Sequence, residues 1–191
     1  VAAGGVYVLG NVRGGSEFGR QWWEDGRMAK MQNCYNDLYA IAEGLIAQNR
    51  TCPEQLALNG GSKGGLLAGV AVTQRPELWK AVVPQVPVLD LIGTLRHPYG
   101  RYSCNIEYGD PDSSDAINRI VAYSPYHLIK EGVRYPAVLL NAGATDPRCP
   151  AWHARKFAAG LQAANKHQSH IFLHVWENAG HGQATERKSL V

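Results

Sequence analysis

The chain has 191 residues, 45% of them hydrophobic, and a formal net charge of +3. That is enough apolar material for a sizeable core, so residues 1–191 are expected to form a single domain. The charge is mild and no Lys/Arg run is dense, which argues against a nucleic-acid partner. No apolar stretch approaches the roughly 20 residues that span a bilayer, so no membrane partner is expected either.

The first residue and the cysteines bear on where the protein works. The sequence starts without methionine and almost inside a strand, which predicts a piece of a longer protein whose targeting signal could be missing. The cysteines are widely scattered and none has metal-ligand spacing, so we expect free thiols in a reducing compartment, the cytoplasm. Two disulfides remain the alternative. The cysteines are Cys34, Cys52, Cys104 and Cys149.

The first 50 residues predict one strand and one helix. Residues 6–12 are rich in β-branched and aromatic side chains, which is typical of a strand. The Gly-rich loop at 13–19 lacks the spacing of a phosphate-binding motif, so a tight loop beneath the rim of the site is favoured. Apolar positions three and four apart then predict an amphipathic helix over 33–49, with Asn33 as a possible cap.

The rest of the chain alternates strands with helices. This alternation implies βαβ units and a mostly parallel sheet with helices on both faces. Residues 90–122 are less regular and are expected to form an excursion that lies over the sheet. The predicted elements are a strand at 55–60, a helix at 63–75, strands at 81–86 and 137–141, a helix at 151–164 and a strand at 170–176.

A serine lies at the turn between the strand at 55–60 and the helix at 63–75. The pattern Gly60-x-Ser62-x-Gly64 is that of a nucleophile elbow, in which the hydroxyl points out at the top of a sheet. Side chains at Gly60 and Gly64 are expected to collide with the neighbouring strand and helix. The alternative is a Gly-rich turn that happens to contain serine.

Two further residues follow strand ends, where parallel sheets place their chemistry. Asp146 comes after the strand at 137–141, and His181 lies in a Gly-flanked loop after the last strand. The order Ser62, Asp146, His181 is that of an α/β-hydrolase triad. In it the serine attacks, the histidine moves the proton and the aspartate orients the imidazole. The backbone N–H of Lys63 is expected to donate to the oxyanion.

Other residues compete for these roles. Asp90 also follows a strand and is the alternative acid, although a capping role is favoured. Arg148 lies near Asp146 and is expected either to bind a substrate carbonyl or carboxylate or to form a salt bridge. The remaining histidines lie in or near predicted strands and helices, or carry no such loop context, and are taken as packing or surface residues. They are His97, His127, His153, His167, His170 and His174.

With these residues identified, the sequence resembles the prolyl oligopeptidase family of serine peptidases. The matching segments occur in the family's order and cover nearly the whole chain, so together they are far more specific than the elbow alone. They lie at 11–19, 32–37, 59–67, 74–78, 123–126, 146–148 and 179–182.

The resemblance implies an α/β-hydrolase fold and cleavage of short peptides by the triad named above. It implies that Arg148 holds a substrate backbone carbonyl. Family members also carry an N-terminal β-propeller and, before this region, a segment like Tyr-Gly-Gly-Phe whose tyrosine completes the oxyanion hole. Neither is present here, so the chain resembles the C-terminal part of the catalytic domain, incomplete at its N-terminus.

The chain departs from the family pattern at the specificity segment. Proline-specific members place a tryptophan within the stretch matching 101–109, and none is present here. Tyr108 matches a family aromatic and is the remaining candidate for a substrate-binding ring. Glu107 could favour a basic residue before the scissile bond, as in the related oligopeptidase B group, whereas the Asp-Pro-Arg pattern at 146–148 favours proline. Lys63 stands where asparagine or alanine is more usual.

The leading hypothesis is therefore a serine peptidase that acts on short peptides through an acyl-enzyme, without metal or cofactor. One alternative is an esterase of the same fold, because an acyl-enzyme forms from either an amide or an ester. Another is a catalytically silent fragment that serves as a binding module, since part of the sheet and one oxyanion donor are expected to be missing.

Overall fold

Four parallel strands form the sheet in the computed structural model, which describes residues 4–182. They lie side by side in chain order, and each neighbouring pair is parallel. The predicted parallel sheet is confirmed. The strands are β1 (Ala57–Gly61), β2 (Ala81–Gln85), β3 (Ala137–Gly143) and β4 (Ile171–Trp176).

Helices connect the strands and precede the sheet. Those predicted from periodicity begin and end within two residues of the expected positions. Asn33 lies inside its helix rather than at the cap, which is Met31, and its side chain donates to the carbonyl of Asp25 at 2.8 Å. The helices are α1 (Arg20–Glu24), α2 (Gln32–Ala47), α3 (Lys63–Gln74), α4 (Leu91–Thr94), α5 (Pro98–Glu107), α6 (Ser114–Val121) and α7 (Trp152–Ala164), with 3₁₀ turns at Met28–Lys30, Pro76–Leu78 and Pro125–Leu128.

Two predicted segments differ in the structure. Residues 6–12 are not a strand, because they form no ladder with β1, and Tyr7 and Leu9 are each 74% exposed. A strand needs a hydrogen-bonded neighbour, however high its intrinsic propensity. The stretch 90–122 is mostly helical rather than irregular, since it contains α4, α5 and α6.

The helices of the described residues cover one face of the sheet. Val82, Val138 and Ile171 share that face and are buried with residues of α3 and α7 in the hydrophobic core. On the opposite face Leu139 is 40% and Phe172 is 59% exposed. The expectation of helices on both faces is therefore met on one face only within residues 4–182. No helix in that range combines the length and apolar character that a bilayer crossing requires.

A buried histidine ties α7 to the segment after β2. The Nδ1 of His153 accepts hydrogen bonds from the backbone N–H groups of Leu89 and Asp90, at 3.3 and 3.2 Å. Its Nε2 lies 3.1 Å from the hydroxyl of Thr94. Because Nδ1 accepts, the neutral ring must carry its proton on Nε2 and donate it to the hydroxyl. Burial lowers the pKa of His153 to about 4.

The turn from β1 to α3 is sterically restricted. A Cβ at Gly60 would lie 2.2 Å from the carbonyl oxygen of Gly64, so only glycine fits there. The same expectation for Gly64 is wrong, because nothing lies within 4 Å of a Cβ built on it. The second restricted position is Gly65, whose Cβ would lie 2.8 Å from the Cβ of Pro87. The helix therefore approaches the end of β2 closely at this residue.

We expect Gly60→Ala to lower the free energy of unfolding by about 3 kcal/mol, because the added methyl group meets backbone that cannot move aside. Gly44→Ala is the matched control: it lies in α2 with nothing within 4 Å of its Cβ. It should raise stability by about 0.5–1 kcal/mol through helix propensity. Denaturant unfolding of the full-length parent measures both, and equal effects would contradict the steric explanation.

The stability of the protein should fall as the pH drops from 6.5 to 4. In this window the unfolded chain protonates His153 while the folded chain keeps it neutral, since its folded pKa is about 4. A shift of this size is worth about 3 kcal/mol, fully present above pH 6.5 and lost by pH 4. His153→Gln should remove this part of the pH dependence, measured by denaturant unfolding at each pH. If the free energy of unfolding changed with pH in the same way in both proteins, the prediction would be refuted.

Candidate active site

The structure brings together the three residues that sequence order singled out. Ser62 follows β1, Asp146 lies in the loop after β3, and His181 lies in the loop after β4. The Nε2 of His181 is 2.9 Å from the hydroxyl oxygen of Ser62, and its Nδ1 is 2.8 Å from Oδ2 of Asp146. Since a carboxylate accepts, Nδ1 carries the proton and Nε2 is left to accept from the serine hydroxyl.

The carboxylate of Asp146 is held by its own loop. Its side chain is fully buried, and its Oδ1 accepts hydrogen bonds from the backbone N–H groups of Arg148 at 2.8 Å and Cys149 at 3.0 Å. These bonds fix the carboxylate and leave Oδ2 for the imidazole. The acid is therefore oriented before any substrate arrives, as an orienting residue requires.

Backbone contacts join the acid loop to the histidine loop. The N–H of Thr145 donates to the carbonyl of Ala179 at 3.1 Å, and its hydroxyl donates to the same oxygen at 3.0 Å. A Cβ at Gly143 would lie 2.3 Å from the carbonyl oxygen of Gly180, so the two loops meet where a side chain has no room. This close approach sets the distance between Asp146 and His181.

Ser62 adopts a backbone conformation that is unusual for a residue with a side chain. Its φ is 57° and its ψ is −115°. Its N–H donates to the carbonyl of Gln85 at 2.9 Å, and its own carbonyl accepts from the N–H of Leu66 at 3.1 Å. The serine thus ends the β1–β2 ladder and opens α3, with its hydroxyl turned towards His181.

The backbone N–H of Lys63 is available to a substrate oxygen. Lys63 is the first residue of α3, and the first N–H groups of a helix have no acceptor within it. The positive end of the helix dipole lies at the same place, which favours a developing negative charge. The Lys63 side chain forms an ion pair with Glu107 at the end of α5.

Arg148 lies on the rim of the site with its guanidinium exposed. Its Nε donates to the hydroxyl of Tyr99 at 3.1 Å, and its guanidinium carbon is 5.8 Å from the centre of that ring. The partner is a phenol rather than a carboxylate, so within residues 4–182 no acidic side chain pairs with the guanidinium and its charge can meet a ligand. Sequence reasoning missed Tyr99, because the contact spans 49 positions.

Tyr108 is a core residue in this structure. It is 5% exposed, belongs to the hydrophobic core, and its ring centre lies 6.4 Å from that of Tyr123. The expectation that Tyr108 offers a ring to substrate therefore does not match its surroundings here. The aromatic side chain next to Arg148 at the rim is Tyr99, which is 38% exposed.

Asp90, the alternative acid, has a structural role. Its Oδ1 accepts from the N–H of Gly93 at 2.7 Å, which caps α4. Its other oxygen pairs with Lys156, and the residue is 1% exposed. Ion pairing with Lys156 and the bond from Gly93 outweigh burial and lower the pKa of this carboxyl. Asp90 therefore serves the fold, and Asp146 is the acid that contacts His181.

A cysteine that the sequence did not single out lies beside the triad. Ligand atoms of Cys149, Asp146 and His181 all lie within 4.8 Å of one another. Burial, with the charge of Asp146, raises the pKa of the Cys149 thiol to about 12. The sequence feature that could have drawn attention to Cys149 is its position in the acid loop, three residues after Asp146.

Comparison with known protein sequences places this site in a family. The model of the prolyl oligopeptidase family matches residues 1–190. An uncharacterised peptidase of Rickettsia prowazekii (strain Madrid E) is 41% identical over 188 residues, which cover 98% of this chain and 26% of the relative. The prolyl endopeptidase of Dictyostelium discoideum is 37% identical over 181 residues, which cover 93% of this chain and 24% of the relative.

Solved structures agree with the sequence comparison. One from a study of two prolyl endopeptidases superposes with a TM-score of 0.87 at 44% identity and covers 91% of this chain and 25% of its own. Oligopeptidase B from Leishmania major superposes with a TM-score of 0.85 at 32% identity and covers 89% of this chain and 24% of its own. The chain thus spans about a quarter of the length of these relatives. With an α/β-hydrolase fold and a match over nearly its whole length, the chain belongs to the prolyl oligopeptidase family.

Proposed function

We propose that this chain carries the catalytic residues of a serine peptidase that hydrolyses short peptides through an acyl-enzyme. The observation that carries the proposal is the hydrogen-bonded series from Asp146 through His181 to Ser62, with links of 2.8 and 2.9 Å. Three residues from three different strand ends meet in the geometry that nucleophilic catalysis needs.

The roles follow from the hydrogen bonds. The oxygen of Ser62 attacks the scissile carbonyl while His181 Nε2 takes its proton, and Asp146 stabilises the imidazolium that forms. The N–H of Lys63 donates to the developing oxyanion at the first turn of α3. His181 then protonates the leaving amine, and the same residues activate water to release the acyl group.

The substrate class rests on the family and on Arg148. The acyl-enzyme chemistry suits esters as well as peptides, so the esterase alternative differs only in what binds beside the triad. The exposed guanidinium of Arg148 can donate to a peptide carbonyl next to the scissile bond. The relatives named above include prolyl endopeptidases and oligopeptidase B, which also favours peptides.

The working enzyme is proposed to be larger than this chain. The relatives are about four times as long, since the chain covers 24–26% of each one. A parent with an N-terminal β-propeller and a further oxyanion donor accounts for that difference. The non-enzymatic alternative is that the chain on its own is a binding module. An oxyanion hole that lacks one donor favours ligand binding over turnover.

The residue before the scissile bond is proposed to be proline rather than lysine or arginine. Glu107 is the carboxylate that could attract a basic side chain, and its charge is already paired with Lys63. Releasing Glu107 to a substrate means breaking that pair. The Asp-Pro-Arg pattern at 146–148 adds to the prolyl interpretation.

Labelling with a fluorophosphonate probe tests the nucleophile. The full-length parent should react, and Ser62→Ala should not react at all. His181→Ala and Asp146→Asn should slow hydrolysis of a good peptide substrate by about 10⁴-fold, because the serine loses its base or the base loses its orientation.

Asp90→Asn is the matched control for that experiment, because it removes a carboxylate that contacts α4 and Lys156 instead of the triad. It should still be labelled. Labelling of Ser62→Ala at the parental rate would reject the nucleophile, and strong loss of labelling in Asp90→Asn alone would make Asp90 the acid. Cleavage of esters without peptides would favour the esterase.

A panel of peptides with Pro, Arg, Lys or Ala before the scissile bond tests the role of the Lys63–Glu107 pair. Lys63→Asn keeps the backbone N–H but frees the carboxylate, so the ratio of kcat/KM for Arg over Pro should rise about fivefold, as for an ion pair worth about 1 kcal/mol. Adding Glu107→Gln to Lys63→Asn should abolish the rise. An unchanged ratio in Lys63→Asn would show that Glu107 does not face the substrate.

A further inference from the structure

Three side chains of the site have the chemistry of metal ligands as well as of catalysis. Asp146 offers a carboxylate oxygen, Cys149 a sulfur and His181 an imidazole nitrogen, all within 4.8 Å of one another. Asp146 and Cys149 are each 4% exposed, and the His181 side chain is 19% exposed. The donors are thus collected in a largely desolvated cluster that opens on the side of the imidazole.

The donors are held in place by bonds within their loops. The N–H of Cys149 donates to Oδ1 of Asp146 at 3.0 Å, so the loop that orients the acid also fixes the backbone of the thiol. A cluster built in this way loses little side-chain freedom on binding an ion, which favours affinity.

We propose that Asp146, Cys149 and His181 bind a zinc-like divalent cation and that its binding reversibly blocks the triad. Sulfur, imidazole nitrogen and carboxylate oxygen are the donors that zinc prefers. Tetrahedral zinc holds such donors about 3.5 Å apart, so a movement of about 1 Å brings the most separated atoms around one ion. Ser62 or a water takes the fourth position. Magnesium and calcium need several oxygen donors and do not suit this set.

The binding step is balanced without any oxidant or reductant. The S–H bond of Cys149 breaks, a sulfur–metal bond forms, and the proton leaves to solvent. The carboxylate and the thiolate together cancel the two positive charges of the ion. The metal takes one of the two nitrogens of His181, so the imidazole no longer links Asp146 to Ser62. Binding and catalysis therefore exclude each other.

Only the inhibition rests on the proposed peptidase function, whereas metal binding can be measured without turnover. Cobalt(II) added to the metal-free full-length parent should produce a thiolate-to-cobalt absorption band at one ion per chain, and zinc should abolish it. Cys149→Val should lose the band. Cys104→Val is the matched control, because Cys104 is also a buried free thiol but lies in α5.

Zinc should inhibit peptide hydrolysis by the parent and by Cys104→Val, with recovery on adding a chelator, while magnesium has no effect. With each variant normalised to its own metal-free rate, Cys149→Val and Cys149→Ser should need at least about tenfold more zinc for half-inhibition. Equal inhibition of these variants, or a band that survives Cys149→Val, would overturn the proposal, as would no band in the parent. A band in a parent that fluorophosphonate does not label would uphold the metal site and reject the peptidase.

Discussion

The site depends on the backbone conformation of one residue, Ser62. A side chain at a φ of 57° is strained by about 1–3 kcal/mol, and the surrounding structure has to hold it there. The bond from its N–H to Gln85 anchors it to β2, and its carbonyl opens α3, whose buried side chains pack in the core. Relaxing the turn would turn the hydroxyl away from His181 and move the first N–H groups of α3.

Parallel strands explain why the other two groups arrive at the same edge. β1, β3 and β4 all end on the side where Ser62 lies, so their following loops meet there. The acid loop and the histidine loop are joined by the bonds of Thr145 to Ala179 and by the close approach at Gly143. The backbone therefore sets the spacing of Asp146 and His181, and the hydrogen bond between their side chains forms within that spacing.

Sequence reasoning succeeded where local pattern decides. Strands buried within the sheet and helices with apolar periodicity were predicted to within two residues. The order of Ser62, Asp146 and His181 singled out three residues that the structure joins by hydrogen bonds. It failed for features that depend on the pairing of strands or on tertiary contacts between distant residues. Residues 6–12 have strand propensity but no ladder, and Gly65 rather than Gly64 closely approaches the end of β2. The position of Cys149 three residues after Asp146 does not by itself show that its sulfur lies close to His181.

The segment at 90–122, which was expected to be irregular, contains a helix that contacts residues on both sides of the site. Its turn-forming residues interrupt the periodicity, so α5 was not predicted, yet α5 reaches both sides of the site. Near its first turn Tyr99 accepts from Arg148 beside the acid, and at its last residue Glu107 pairs with Lys63 beside the nucleophile. The triad has no direct bond to α5, whereas both flanking cations do. In the proposed peptidase, movement of α5 would therefore change how Arg148 and Lys63 are held, while the hydrogen bonds that join Ser62, His181 and Asp146 stay in place.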